Sequence, residues 1–384
     1  MTSNPTIKQA IDYSQLTDPA SLGMSAQGVE NIRRIFREQY EQGLHPAAQL
    51  VVLRHGQVVV DEVIGRHRGQ PISHSTPFLG FSLTKPFTAM CVHKLIAEGL
   101  IEMDAPIAEY WPEFGQKGKE LATVRHAFLH QVGVPSRGLY TQIFRWPFWG
   151  AVTRNVANLP LEFEPGSEAQ YHIVNYGFIM GELVRRVTGM SIDDYVRKHF
   201  LQPLGLKRTW MRIPRHELSN SPKLYATGPN QRSTTWLFNL PIIRRALIPA
   251  ASLHSTAREI AVFFQMLLNG GEYAGRRFLQ AETIEAATQV GYEGFDASFN
   301  REVLWAYGFH LGGKQPPPGV PGPSMGVGST ANTFGHSGNA SCYAWADKDQ
   351  QLVYAFMCNG LLDQPLSLHR WTDLADAVWD AVER

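Results

Sequence analysis

A serine three residues ahead of a lysine, at the point where an extended run gives way to an apolar helical pattern, is where this chain first offers covalent chemistry. The stretch is Gly80-Phe81-Ser82-Leu83-Thr84-Lys85-Pro86-Phe87-Thr88. Proline is tolerated only in the first turn of a helix, so Pro86 sets the helix start between Ser82 and Lys85. With that spacing Ser82 and Lys85 share one face a turn apart, within hydrogen-bond reach. The helix N-terminus adds free backbone N–H groups and a positive dipole end, which favour an oxyanion and disfavour a protonated amine nearby. The chemistry is that of an activated hydroxyl nucleophile. Serine and lysine are common, and a chain this long holds roughly one or two Ser-x-x-Lys matches by chance, so the remaining sequence carries the weight.

Such a pair needs a rigid frame, and the sequence supplies one. Val29, Ile32, Ile35, Phe36 and Tyr40 recur at helical spacing after Ser25, which predicts a surface helix over 25–43. The β-branched runs 48–53 and 57–64, split by Arg54-His55-Gly56, predict a hairpin. The Ser82 helix should run to Gly99, followed by a mostly helical region to about residue 200. A further capped helix is expected over 255–270, strands at 307–311, 341–346 and 352–358, and a closing helix at 367–383. The fold class that follows is mixed α/β (α+β), with helices around a sheet. Residues 1–80 with 255–384 would form the sheet domain and 81–254 a mostly helical lobe, with the active site at their junction. The Gly- and Pro-rich stretch 314–329 reads as a mobile loop.

The chain has 384 residues, 44% hydrophobic and 11% aromatic, enough for one large or two medium domains. Its 35 basic and 34 acidic residues leave a net charge of +1 without long runs of either sign, so nothing suggests a nucleic-acid surface and a small-molecule partner is expected. Cys91, Cys342 and Cys358 stand singly among apolar neighbours and read as buried free thiols. Met1–Lys8 lacks the charged and apolar regions of a secretory signal, and no window is long enough for a membrane span, so a cytoplasmic location is expected.

Two more stretches, in order, join the Ser82 motif: Glu164-Pro165-Gly166-Ser167-Glu168-Ala169-Gln170-Tyr171-His172 and Phe334-Gly335-His336-Ser337-Gly338-Asn339. Together with the segments 123–135, 203–209 and 255–271, they resemble the serine β-lactamase and penicillin-binding-protein superfamily. The class C-like, family VIII carboxylesterase branch is nearest. The resemblance spans about residues 25–380 and implies the β-lactamase/transpeptidase-like fold, a central antiparallel sheet with an inserted helical lobe. It also implies that Ser82 attacks an acyl carbonyl, that Lys85 and Tyr171 share the proton transfers, and that the backbone N–H groups of Ser82 and Asn339 form the oxyanion hole. His336, Ser337 and Gly338, with His172, Tyr140 and Trp146, would line the substrate site. No cofactor and no metal are implied.

The chain also departs from the lactamase pattern. Ile173 stands where class C enzymes have the asparagine of Tyr-x-Asn, with Asn175 two residues further on, and His336 replaces a lysine that would hold a lactam carboxylate. Both changes favour esters of small, apolar acyl groups over anionic antibiotics. A β-lactamase or D-amino-acid peptidase, an acyltransferase and a non-catalytic binder on the same fold are the competing readings. The hydrophobic stretches 139–149 and 236–243 are candidate walls of an acyl pocket. His126 and His130 have the spacing of zinc ligands but lack the glutamate base of a zinc protease. No Gly-x-Ser-x-Gly elbow surrounds Ser82, which disfavours an α/β-hydrolase.

Overall fold

Alternation along the first two strands sets up the layers of the molecule, seen in a computed structural model that describes residues 9–135, 143–314 and 324–383. Strands β1 (Ala47–Arg54) and β2 (Gln57–His67) pair antiparallel, with Arg54 opposite Gln57. His55 and Gly56 between them both have positive φ, the conformation that a two-residue hairpin turn requires. Successive side chains of a strand point to opposite faces. Ala48, Leu50 and Val52 accordingly join one core and Ala47, Val51 and Leu53 the other.

The first core lies under helix α1 (Ala26–Glu41), capped by Ser25, whose hydroxyl accepts from the Gly28 N–H. Its Val29, Ile32 and Phe36 pack there together with Leu374 and Val378 of the closing helix, Leu366–Asp380. The second core lies under the helix Ala257–Leu268, where Phe263 and Phe264 are fully buried.

β1 and β2 belong to a nine-stranded sheet completed by β3 (Gln70–Pro71), β4 (Tyr292–Asp296), β5 (Arg301–Trp305), β6 (His310–Leu311), β7 (Thr333–Gly338), β8 (Cys342–Asp347) and β9 (Leu352–Cys358). The strand order is β3-β2-β1-β9-β8-β7-β6-β5-β4, and every neighbouring pair is antiparallel. All nine strands fall within 47–71 and 292–358. Most helices lie between 84 and 244, and Cys91, Cys342 and Cys358 are buried free thiols.

One expectation is corrected. Residues 307–311 do not form a single strand: Gly308, at φ +107°, sits in a tight turn joining β5 to β6, which pair at Trp305 and His310. A side chain at 308 would strike Ala89 at 2.3 Å, so only glycine passes there. The β4–β5 hairpin also went unanticipated, because its alternation of half-buried and exposed residues includes Gly294, Glu293 and Glu302. Among the described residues no helix is long and apolar enough to cross a membrane.

Candidate active site

The local fold around Ser82 starts from strain. Phe81 holds φ at +47°, the left-handed region that bulky residues seldom enter. Several bonds hold it there. The Gly80 N–H donates to the Leu253 carbonyl at 2.7 Å, the Leu253 N–H donates to the Thr84 hydroxyl at 2.9 Å, and that hydroxyl donates to the Phe81 carbonyl at 2.5 Å. The Phe81 ring meets Phe238 edge-on at 5.0 Å. Backbone strain that survives in this way collects at functional sites. Helix α2 (Thr84–Ala97) then begins with Pro86 at its third position, where no helical hydrogen bond is lost, and leaves Ser82 just ahead of the first turn.

Lys85 points back along α2 into a buried site. Its Nζ lies 3.1 Å from the Ser82 Oγ, 2.9 Å from the Ile173 carbonyl and 3.4 Å from the Ala250 carbonyl. Only 1% of the residue is exposed, and burial holds the amine well below its usual value. A neutral amine has two N–H donors and one lone pair. In that form, N–H groups on the two carbonyls would leave the lone pair facing the Ser82 hydroxyl.

Tyr171 closes the other side, its ring centroid 4.5 Å from the Lys85 Nζ. A residue missed in the sequence holds it: the Tyr171 N–H donates to the Asp296 carboxylate at 2.8 Å, and that carboxylate also accepts from the Phe299 N–H at 2.6 Å. Asp296, fully buried at the end of β4, therefore ties the Tyr171 segment to the edge of the sheet.

Residues Ser337 and Asn339, at the end of β7, line the same cleft as Ser82 and Tyr171. Gly338 lets them approach. A Cβ there would lie 2.2 Å from the Gly80 carbonyl oxygen, so the absence of a side chain sets the spacing between the Ser82 turn and the Asn339 amide. Among the described residues, neither the Ser82 nor the Asn339 amide donates to a backbone carbonyl.

Four histidines surround this group. His336 stacks on His310 at 4.1 Å, and its Nδ1 is 2.7 Å from the Ser337 carbonyl. His130 lies 4.7 Å from the Tyr171 ring and 5.7 Å from His172. Burial holds His130 and His336 well below the ordinary imidazole value, His310 at about 3 and His172 at about 4. All four are neutral at pH 7. His310 left no local signal beyond its place in a strand, while His130 stood out only as half of a zinc-like pair. His126, the other half, serves a capping box with Thr123 at the start of the helix Val124–Phe128.

Other sequence candidates fall elsewhere. Trp146 is buried, 6.1 Å from Phe238, and it is Phe238 with Leu237 and Trp236 that reaches the cleft. His172 is buried behind Tyr171, and Asn175 donates to the Pro135 carbonyl at 3.0 Å. Tyr140 lies outside the described residues. The segments 203–209 and 255–259 act as frame: Glu259 accepts from the Thr209 hydroxyl at 2.6 Å and the Arg208 N–H at 2.9 Å. The cleft itself measures about 790 Å³ and is walled by Phe81, Ile143, Phe238, Leu362 and Trp371, with Arg301 on its lining.

A strained serine turn, a buried lysine behind it and the end of strand β7 of an antiparallel sheet beside it define a serine hydrolase of the β-lactamase fold. Residues 32–378 match the beta-lactamase family, and the chain belongs to it. The esterase/beta-lactamase LipL of Mycobacterium tuberculosis is 28% identical over 86% of this chain and 80% of its own length. Among solved structures, a penicillin-binding-protein homologue from Caulobacter crescentus is 30% identical, with a TM-score of 0.79 over 94% of this chain and 99% of its own. A family VIII carboxylesterase is 26% identical, with a TM-score of 0.80 over the same shares of the two chains.

Proposed function

We propose that the protein is a serine carboxylesterase that works through an acyl-enzyme on Ser82. The observation that carries the reading is the buried Lys85 amine, its donors directed to two backbone carbonyls and its nitrogen 3.1 Å from the Ser82 Oγ. The neutral amine takes the hydroxyl proton as Oγ attacks the ester carbonyl. Charge on the carbonyl oxygen is met by the Ser82 and Asn339 amides. The proton then passes by way of Tyr171 to the departing alcohol oxygen as the C–O bond breaks. Water repeats the sequence on the acyl-enzyme, returns the proton to Ser82 and releases the acid.

The neutral His336, the apolar Ile173 and the apolar walls of the cleft support esters over lactams. The volume admits groups well beyond the small acyl chains that the sequence suggests. The similarity to LipL and to the family VIII carboxylesterase supports the same reading.

A second reading rests on Arg301. Its guanidinium lies 5.1 Å from the Phe299 ring, which in turn lies 4.9 Å from Tyr171, so a cation stands on the cleft lining near the site. It would favour a substrate carboxylate, as in a lactam or peptide. Turnover of p-nitrophenyl esters of increasing chain length and of a chromogenic cephalosporin by wild type, Ser82→Ala and Arg301→Ala separates the two. Ser82-dependent ester cleavage that survives loss of Arg301 supports the esterase. Cephalosporin turnover faster than ester turnover and lost with Arg301 overturns it.

A further inference from the structure

The elements beside the cleft carry large exposed apolar side chains. Phe144, Phe148, Trp236 and Ile242 are 69%, 60%, 62% and 51% exposed. They belong to adjoining elements. Ile143, from the turn Ile143–Arg145, and Trp236, from the helix Arg232–Asn239, line one cleft, and the helix Pro241–Arg244 follows directly. Large exposed apolar side chains on adjoining elements point to a binding face.

Charge says what binds. Residues 143–161 and 218–258, the stretches that carry these side chains, hold no aspartate or glutamate, although the chain carries 34 among 384 residues. They do hold Arg145, Arg154, Lys223, Arg232 and Arg245, and none of these forms an ion pair among the described residues. Of the carboxylates near these stretches, buried Glu182 is paired with Arg185 and Arg186 beneath Trp149, and Asp363 accepts from the Asn230 amides at 3.2 Å. A second copy of the chain docking here would set bases against bases, because a two-fold interface matches a patch with itself. An anionic lipid surface instead offers hydrocarbon to the aromatic side chains and phosphate to the arginines.

We propose that this face is a docking surface for an anionic lipid bilayer, with the cleft opening toward the membrane. Attachment is peripheral, in keeping with the lack of a spanning helix among the described residues. The claim is independent of the chemistry at Ser82, since vesicle binding and ester turnover are read separately.

The test is co-sedimentation with vesicles of phosphatidylcholine alone and of phosphatidylcholine mixed with phosphatidylglycerol, at low and high salt, alongside sedimentation velocity. Wild type should bind the mixed vesicles about tenfold or more better than the neutral ones, and less in high salt. The pair Phe144→Asp and Ile242→Asp, at two residues that do not line the cleft although their stretches were candidate walls, should lose binding about tenfold or more while keeping turnover of a soluble short-chain ester, which shows that it is folded. Arg145→Glu with Arg232→Glu should abolish the preference for phosphatidylglycerol. Equal binding by wild type and the aspartate pair, or no binding to mixed vesicles, overturns the proposal. So does a wild-type dimer that the aspartate pair dissolves.

Discussion

Replacing Gly338 with alanine should disable the site without dismantling the fold. The added Cβ would meet the Gly80 carbonyl oxygen at 2.2 Å, and Gly338 is not among the residues with positive φ, so the backbone itself tolerates alanine. Relaxing the contact to an ordinary separation needs about 1 Å or more of movement between the end of β7 and the Ser82 turn. That movement pulls the Asn339 amide away from the Ser82 amide, and a misplacement of that size costs about a hundredfold in rate. Losing one oxyanion donor costs about 100- to 1,000-fold in kcat, or about 2.7–4 kcal/mol.

The assay is steady-state hydrolysis of a p-nitrophenyl ester with circular dichroism and thermal melting on the same preparation. Gly335→Ala is the control, since its Cβ would crowd the same strand against the Ala344 carbonyl at 2.3 Å, on the partner strand rather than the Ser82 turn. It should lose about 1–3 kcal/mol of stability while keeping kcat per folded molecule. A folded Gly338→Ala protein with wild-type kcat would refute the reasoning.

Three further outcomes follow from the same geometry. Burial holds Lys85 well below its ordinary value of 10.5, so the acid limb of kcat/KM should lie well below pH 10, with activity rising as the amine loses its proton; a limb that rises only near pH 10 contradicts the base assignment. Asp296→Ala frees the Tyr171 N–H, and kcat should drop about tenfold or more with KM little changed; an unchanged kcat and pH profile would make Asp296 merely structural. Burial also lowers His172 and His93 to about 4 and His310, His254 and His45 to about 3. Unfolded chains take up protons near pH 6.5 that these folded sites refuse, so their stability contribution is complete above about 6.5 and declines as pH falls toward the folded values. Each should cost roughly 1.3 kcal/mol between pH 7 and 5.5, and a denaturant-derived stability that stays flat over that range would contradict the burial argument.

The parts of the site that were legible in the sequence are those fixed by local constraints. Pro86 pinned the helix start and thereby set Lys85 behind Ser82, while the pattern around Arg54-His55-Gly56 announced the first hairpin. The rest depends on register between distant segments. His310 meets the site only because β6 pairs with β7, placing it opposite Gly335, and nothing near His310 in the chain encodes that pairing. Asp296 is similar, its partner Tyr171 lying far away in sequence and meeting it through a main-chain N–H that any residue would supply. Trp146 illustrates a different failure. Its composition suits a pocket wall, but Phe238 stands in front of it, and burial order among aromatics is a tertiary property.

The central claim is that Ser82 carries the acyl group. Intact-mass spectrometry of the enzyme quenched during turnover of a p-nitrophenyl ester, with the modified peptide sequenced, addresses it directly. The account predicts a mass increase equal to the acyl group, located on Ser82 and absent from Ser82→Ala. An adduct on another residue, or ester turnover by Ser82→Ala at the wild-type rate, would contradict it.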